Sequence, residues 1–236
     1  MRWFQLLLFF IATAAAGERR VHTFSIVAFD PATGALGVAV ESKFFGVGSV
    51  VPWAKAGVGA VATQALVKVG YGADGLALMA AGKSAREALD ELIAADPQRS
   101  VRQVAMVDAR GGVVQFTGAE CLAWAGMREG KNYVVQGNLL TGEEVVVAMS
   151  EAFEKARESG AGELADWMMA ALAAGQAAGG DKRGQQSAAL LVVRAGAGLG
   201  GDNDRFIDLR VEDHQEPIPE IARLLALHKA FYGRQK

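Results

Sequence analysis

Thr23 has the residue type and the setting for nucleophilic chemistry, because its hydroxyl opens a run of β-branched and aromatic residues over positions 23–30. A threonine hydroxyl is a poor nucleophile unless a base takes its proton. If Thr23 is the first residue of a processed chain, its own α-amine is that base. An α-amino pKa of about 7.7–8.0 leaves a neutral fraction near physiological pH. The pattern therefore predicts attack on an acyl carbon at the edge of a sheet.

Lys55 and Glu41 follow Thr23 at spacings that suit supporting roles. Lys55 lies 32 residues after Thr23 at a predicted strand end, where like-charge repulsion would lower the pKa of the amine. Glu41, or Ser42 beside it, ends the second predicted strand and would orient the lysine. The structural alternative is that Thr23 only opens a strand and Lys55 only ends one.

Three polar residues on predicted loops are candidates for contact with a substrate. Asn138 ends a short strand and is the predicted oxyanion donor, since amide groups serve that role in acyl transfer. Asp181 and Arg183 lie in the glycine-rich loop 179–184 and would bind an amine or a carboxylate of the substrate. The alternatives are a left-handed loop conformation for Asn138 and a structural ion pair or loop cap for the other two.

Gln64 and Ser187 sit at predicted strand ends that would face the same cleft, and we predict that both bind substrate. Ser25 and Ser42 are alternative internal nucleophiles, although no histidine pairs with either by motif. The three histidines show no metal-ligand spacing, so we predict neither a metal site nor a cofactor. Cys121, the single cysteine, is predicted to be a buried small hydrophobe.

The overall charge and the N-terminus restrict partners and location. A net charge of −2 without a clustered basic face argues against nucleic acid as a partner. Residues 1–16 read as a signal peptide, with Arg2, an apolar run over 3–15 and small residues at the cleavage site. We expect export to the periplasm or medium, no membrane association after cleavage, and a polar tail over 17–22. An uncleaved anchor or a wrongly chosen start codon is the alternative.

Apolar periodicity predicts the elements that must position these residues. Strands are predicted over 23–30, 36–40, 47–51, 58–66, 102–108, 113–117, 133–138, 187–194 and 206–211. Pairs of helices separate the strand groups, one of them opened by a Ser84–Glu87 capping box, and a last helix runs to about Tyr232. Strands apolar on both faces, with helices in runs, predict an α+β fold. We expect one domain over 23–236, built as a four-layer α-β-β-α sandwich.

Several long segments resemble an uncharacterised bacterial family, the domain of unknown function 1028. The matching segments are 23–28, 37–43, 57–65, 136–138, 175–188, 208–211 and 213–214, in the same order as in the family. The resemblance implies the four-layer sandwich of the N-terminal-nucleophile (Ntn) hydrolases, and it allows a homo-oligomer. By comparison with proteasome-type members, Thr23 matches the nucleophile and Lys55 the lysine. Glu41 stands near the position of their aspartate.

The predicted function is therefore hydrolysis of an amide bond by an exported Ntn-type hydrolase with Thr23 as nucleophile. Signal cleavage would leave six residues ahead of Thr23, so a second cut at the His22–Thr23 bond is required. A small amide, a peptide and a cell-wall fragment are all open as substrates. The alternative is a non-catalytic periplasmic binding or assembly module on the same fold.

Overall fold

A computed structural model describes residues 20–233. Its strands are β1 (Arg20–Val21), β2 (Thr23–Asp30), β3 (Ala35–Ser42), β4 (Pro52–Lys55), β5 (Gly59–Leu66), β6 (Arg102–Asp108), β7 (Val113–Thr117), β8 (Gly126–Gly130), β9 (Tyr133–Gly137), β10 (Ser187–Val193) and β11 (Arg205–Val211). Its helices are α1 (Gly70–Ala80), α2 (Ala85–Ala94), α3 (Glu144–Glu158), α4 (Leu164–Ala177) and α5 (Pro217–Phe231).

The strands form two sheets in which neighbouring strands run antiparallel. In the first sheet the order is β1-β5-β6-β7, and β4 also pairs with β5. In the second sheet the order is β11-β10-β3-β2-β9-β8. Two antiparallel sheets and five helices in the described range confirm the predicted α+β class.

The central strands β2 and β3 are buried on both faces, which explains their nearly continuous apolar sequence. One face carries Phe24, Ile26 and Ala39, which pack in a cluster with α3, α4 and α5. The opposite face carries Val27 and Val38, which pack in a cluster with residues of the first sheet. Alternate residues of these strands therefore point either towards the helices or towards the other sheet.

The outer face of the first sheet is covered by α1 and α2, through a third cluster that includes Tyr71, Leu89 and Met106. The capping box predicted at the start of α2 is present. The Ser84 side chain accepts from the Glu87 backbone amide, and the Glu87 carboxylate accepts from the Ser84 backbone amide. Both interactions satisfy amides that the first turn of a helix leaves without intrahelical partners.

Most predicted strand bounds lie within two residues of the structure, and three segments differ more. The strand predicted over 47–51 is a 3₁₀ turn at Val47–Ser49, and the strand itself begins at Pro52. Strand β8 was not predicted. Within the predicted polar tail, residues 20–21 form β1, and His22 is only 6% exposed.

The predicted signal peptide over 1–16 and the first three residues of the predicted tail lie outside the described residues. Among the helices in the range 20–233, none has the length and apolar character needed to cross a membrane.

Candidate active site

Thr23 is the first residue of β2 and lies directly opposite Ser42 of β3. Both side chains are fully buried, and both point towards the first sheet. The Thr23 hydroxyl donates to the carbonyl oxygen of Val21 at 3.0 Å. The Thr23 nitrogen is the amide nitrogen of the His22–Thr23 peptide bond. In the uncut chain Thr23 therefore has no free α-amine.

The carbonyl oxygen of His22, which belongs to the bond before Thr23, accepts two hydrogen bonds. Ser42 Oγ donates to it at 2.5 Å, and Arg183 Nη2 donates to it at 2.8 Å. Two donors on one buried carbonyl, one of them a cation, withdraw electron density from the carbon of that bond. They also lie where negative charge would develop if a nucleophile attacked that carbon.

Asp181 holds Arg183 in this position. The Asp181 carboxylate accepts from Arg183 Nε at 3.0 Å and from Arg183 Nη2 at 2.6 Å. The loop reaches the site through Gly179 and Gly180, whose φ angles are 117° and 57°. A Cβ on Gly179 would also come within 2.3 Å of the Thr141 hydroxyl oxygen. Glycine is therefore required by both conformation and space where the loop turns towards His22.

Asn138 contacts both residues of the His22–Thr23 bond, but not as an oxyanion donor to the His22 carbonyl. Its Oδ1 accepts from His22 Nδ1 at 2.6 Å, and its Nδ2 donates to Gln103 Oε1 at 2.9 Å. Because an amide oxygen can only accept, His22 Nδ1 carries a proton. The Asn138 backbone amide donates to the Thr23 carbonyl at 3.1 Å. The neighbouring Leu139, at φ 55°, takes the left-handed conformation considered for Asn138.

Gln64, predicted to bind substrate, lies beside Thr23, and the groups that its side chain contacts belong to the protein. Its Nε2 donates to the Thr23 carbonyl at 3.2 Å and to Gln103 Oε1 at 2.8 Å. Its Oε1 accepts from the Ser25 hydroxyl at 2.7 Å. The Ser25 hydroxyl thus faces an amide oxygen, which is no base, and this does not favour Ser25 as the nucleophile.

Gln103 and Gln136 are two buried members of the site that sequence reasoning missed. Gln103 Nε2 donates to the Gly137 carbonyl at 2.8 Å, and Gln136 Nε2 donates to the Ala62 carbonyl at 3.2 Å. Both residues lie in strands whose other residues are mostly apolar and buried. Such a glutamine in a buried strand is a signal, because a buried amide must find partners and therefore marks a polar cluster.

Glu41 is buried on the opposite face of β3 from Ser42. It lies across from Phe24, whose ring packs towards α4, so its side chain points away from the Thr23 hydroxyl. Burial, and then the charge of Asp181, raises the pKa of Glu41 well above its ordinary value. The predicted role of Glu41 in orienting a lysine beside Thr23 does not fit this placement.

Lys55 does not approach Thr23, contrary to the sequence-based prediction. It pairs with Gly59 at one end of β5, whereas Ala65, near the other end, pairs with Val21, two residues before the candidate nucleophile. Six residues of strand separate these positions by about 20 Å. Lys55 instead lines a separate cavity of about 350 Å³ with charged residues of β11.

Ser187 lies across from Ser42 in β10. Its hydroxyl donates to the Phe44 carbonyl at 2.5 Å and accepts from the Val47 amide at 3.1 Å. Ser187 therefore anchors the turn after β3, and through it the end of the strand that carries Ser42. Ser187 is fully buried, so a substrate could not make the predicted contact with it in this structure.

The site of His22, Thr23 and Ser42 is not arranged as a metal centre. Within residues 20–233, no group of three or more histidine, cysteine, aspartate or glutamate residues has the arrangement of a metal site.

Comparison with solved structures gives a close relative. The crystal structure of protein SPO2555 from Silicibacter pomeroyi, itself assigned to DUF1028, is 31% identical in sequence. The match covers 91% of each chain with a TM-score of 0.78. No curated protein matches the chain.

A family model also matches most of the chain. The match runs over residues 23–221, from Thr23 to the second turn of α5, and the model describes a family of unknown function. The sequence match and the structural match agree, and the chain therefore belongs to the family of unknown function DUF1028.

Proposed function

We propose that this protein is an amide hydrolase of the Ntn type, with Thr23 as its nucleophile once the His22–Thr23 bond is cut. The two facing sheets with outer helices would then be the four-layer sandwich of that class. One observation carries the proposal. The carbonyl before Thr23 accepts from Ser42 and from Arg183 inside a buried site, as a carbonyl awaiting attack would.

Processing requires the Thr23 oxygen to attack the carbonyl carbon of His22. The hydroxyl must first leave the Val21 carbonyl by rotating about its Cα–Cβ bond. The new C–O bond forms while negative charge collects on the carbonyl oxygen, next to the Ser42 and Arg183 donors. The C–N bond then breaks, and the Thr23 nitrogen takes up the proton released by the hydroxyl. Water hydrolyses the resulting ester, which leaves a His22 carboxylate and a free Thr23 α-amine.

The same groups would serve the hydrolysis of an external amide. The freed α-amine accepts the proton of the Thr23 hydroxyl as this attacks the substrate carbonyl, and the protonated amine donates it to the leaving nitrogen. Water then releases the acyl group. Arg183, rather than Lys55, supplies a positive charge near the amine, and like-charge repulsion favours the neutral, basic form. Asn138 and Gln64 both donate hydrogen bonds to the Thr23 carbonyl. These contacts hold the nucleophile in place at the start of β2.

The extent of the family match supports this assignment. The family model begins at Thr23, the residue that would be the first of the processed chain. We also propose that the protein is exported, with residues 1–16 removed as a signal peptide before the second cut. N-terminal sequencing of protein recovered from the periplasm and the medium tests the location and the first cut together.

The mass of the purified full-length protein tests the processing step. We expect a product that begins at Thr23 on incubation, no product from Thr23→Ala, and product from Thr23→Ser, which keeps a hydroxyl. Ser25→Ala is the matched control, because it removes a neighbouring hydroxyl and leaves the proposed nucleophile in place. A Thr23→Ala chain that is still cut before residue 23 would contradict the mechanism.

Hydrolysis is tested on the processed chain with a fluorogenic peptide amide and an amide-directed covalent probe. We expect the probe to label Thr23, as located by mass spectrometry of the digested protein. A chain that stays uncut, together with hydrolysis unaffected by Thr23→Ala, would overturn the proposal.

A non-catalytic binding module is the second candidate, and one observation favours it. In the uncut chain the Thr23 hydroxyl is fully buried and donates to a backbone carbonyl, as a structural threonine does. If this reading holds, the uncut chain is the final product. Thr23→Ala, Thr23→Ser and the parent protein would then all stay uncut before residue 23, with masses that differ only by the substituted side chain, and would bind ligand equally well.

A further inference from the structure

Residues 20–22, called here the leading segment, lie directly before Thr23, and the groove is the name used here for the part of β5 and its surroundings that they contact. Arg20 and Val21 pair antiparallel with Leu66 and Ala65 of β5. They use the same edge of β5 as β4, because β6 occupies the other edge. A short strand of two residues on an exposed edge is the geometry by which extended peptides add to sheets.

The side chains of the leading segment enter two different environments. Val21 has no exposed surface and packs in the apolar cluster between the sheets. His22 is 6% exposed and donates to the side-chain oxygen of Asn138. The carbonyl that follows these side chains is the one held by Ser42 and Arg183. The segment thus has an edge for its backbone, an apolar pocket, an acceptor and a pair of donors for its acyl oxygen.

The backbone of the groove is itself unusual at the pairing position. Ala65, opposite Val21, has a φ of 68°, in the left-handed region that residues with a side chain seldom adopt. Such local strain in a folded protein concentrates where ligands are clamped. The edge that holds the leading segment is thus shaped differently from the regular ladder that β4 forms with the rest of β5.

We propose that this groove is the substrate site and that the leading segment is its first, self-inhibiting occupant. The inference rests on the proposed function, because it assigns the groups that bind the acyl side of the bond that the hydrolase would cut. The substrate class is an extended peptide that adds to β5 as a strand. A β-branched apolar residue takes the place of Val21, and a residue with a side-chain N–H donor takes the place of His22. The uncut chain is closed, and departure of the cut segment opens the groove.

Binding of a peptide in trans tests the groove without relying on catalysis. The full-length chain carrying Thr23→Ala stays uncut and keeps its leading segment in place. Adding Val21→Asp places a charge in the apolar cluster and should expel the segment. We expect acetyl-arginyl-valyl-histidine amide to raise the melting temperature of the Val21→Asp double variant in a concentration-dependent way. The Thr23→Ala single variant, whose groove is filled, should not respond.

Two altered peptides test the two pockets. Replacing the valine by aspartate buries a charge, and replacing the histidine by phenylalanine leaves the Asn138 oxygen without its donor. Each change should weaken binding roughly tenfold or more. Equal effects of all three peptides, or no effect of any, would overturn the proposal.

A chain that begins at residue 23, with Thr23→Ala, gives a second measurement. Among the described residues, Val21 is the only buried apolar residue that precedes Thr23, so the three clusters remain otherwise complete in this chain. We expect the same order of peptide affinities. If both this chain and the Val21→Asp variant are unfolded, the leading segment is an essential strand, and the proposal is wrong.

The outcomes separate the groove from the catalytic proposal. If peptides bind selectively but the protein with Thr23 is not cut, the groove proposal stands and the hydrolase proposal is wrong. If peptides are cut without the expected selectivity, the hydrolase proposal stands and the groove proposal is wrong.

Discussion

Arg183 donates a hydrogen bond of 2.8 Å to the carbonyl oxygen of His22, although 161 residues separate the two in the chain. The contact joins the glycine-rich loop after α4 to the peptide bond before β2. It places a fixed positive charge at the bond whose cleavage would free the α-amine of Thr23. Asp181 holds the Arg183 guanidinium with two hydrogen bonds. The loop that carries both residues therefore fixes the position of this charge.

Removing the charge of Arg183 should slow processing at His22–Thr23 by about 10²–10³-fold, the usual cost of losing a donor to a developing oxyanion. Arg183→Met alone would leave the buried Asp181 carboxylate unpaired, which destabilises a fold by about 3–5 kcal/mol. The informative variant therefore combines Arg183→Met with Asp181→Asn. Processing is followed by intact mass over time, and folding by thermal melting.

The exposed ion pair of Glu220 and Arg223 on α5 provides the matched control. Glu220→Gln with Arg223→Met removes the same two charges far from His22, and processing should be unchanged. A double variant at 181 and 183 that folds and is cut at the parent rate would remove Arg183 from the mechanism.

Ser42→Ala should slow processing by about 10²-fold, because it removes the second donor to the His22 carbonyl. The loss of one neutral hydrogen bond should cost only about 1 kcal/mol of stability. Ser25→Ala is the comparison, since the Ser25 hydroxyl contacts Gln64 rather than the His22 carbonyl. If Ser25→Ala slows processing as much as Ser42→Ala does at equal stability, the effect of Ser42→Ala does not come from its contact with the His22 carbonyl.

Lys55→Met should leave both the rate of processing and the pH–rate profile of the processed chain unchanged. The lysine lies about 20 Å along β5 from the pairing position of Val21, beyond the reach of a direct contact. Arg183→Lys is the positive comparison, because it changes the cation that contacts the His22 carbonyl. A pH–rate profile that shifts with Lys55→Met but not with Arg183→Lys would contradict this expectation. Lys55 would then tune the Thr23 amine, as its spacing in the sequence suggests.

The case of Lys55 shows what residue spacing cannot convey. Counting along the chain places Lys55 at a strand end, and this is where the structure has it. Counting does not give the direction in which β4 runs along β5, and that direction carries Lys55 away from Thr23. Arg183, which lies at the bond instead, arrives through a loop whose course depends on two glycines and on tertiary contacts.

The strands were predicted best where burial on both faces leaves an apolar signature, as in β2, whose bounds match the prediction of 23–30. The strand predicted over 47–51 failed because its β-branched residues serve a turn. Gly46 enters that turn at φ 67°, and the Val47 amide is held by Ser187 from another strand. A contact between residues 140 positions apart leaves no signal in the local pattern.

Asp96 should control stability in acid. Burial alone would raise its pKa, but hydrogen bonds from Arg102, Tyr71 and the Gln98 backbone outweigh burial and lower the pKa to about 2. A carboxyl with a lowered folded-state pKa adds stability above its unfolded pKa of about 3.9 and loses it as the pH falls towards 2. The contribution is about 2–3 kcal/mol.

Asp96→Asn should therefore destabilise the protein at pH 7 and flatten the loss of stability between about pH 4 and 2. Urea unfolding at several pH values measures both effects. Asp90→Asn, at an exposed position of α2, is the control and should change neither. A parent-like slope in Asp96→Asn would show that other carboxyls account for the acid transition.

Glu41 should have the opposite dependence on pH. Burial and the charge of Asp181 raise its pKa, while the Gln186 backbone, Arg183 and Lys43 lower it less. A carboxyl with a raised folded-state pKa is most favourable below its unfolded pKa of about 4.3, and its contribution is lost as the pH rises through the folded pKa. Glutamine keeps the shape without the charge.

Glu41→Gln should therefore match the parent protein at pH 4 and melt at a higher temperature at pH 8. A gain of 1 kcal/mol would appear as a shift of about 2–4 °C in a protein of this size. Glu158→Gln, at an exposed position of α3, removes a carboxylate without burial and should show no such trend. A Glu41→Gln protein that is less stable at pH 8 would mean that the ionised carboxylate supports the Asp181–Arg183 loop. In that case the variant should also slow cleavage at His22–Thr23, which the same samples report by mass.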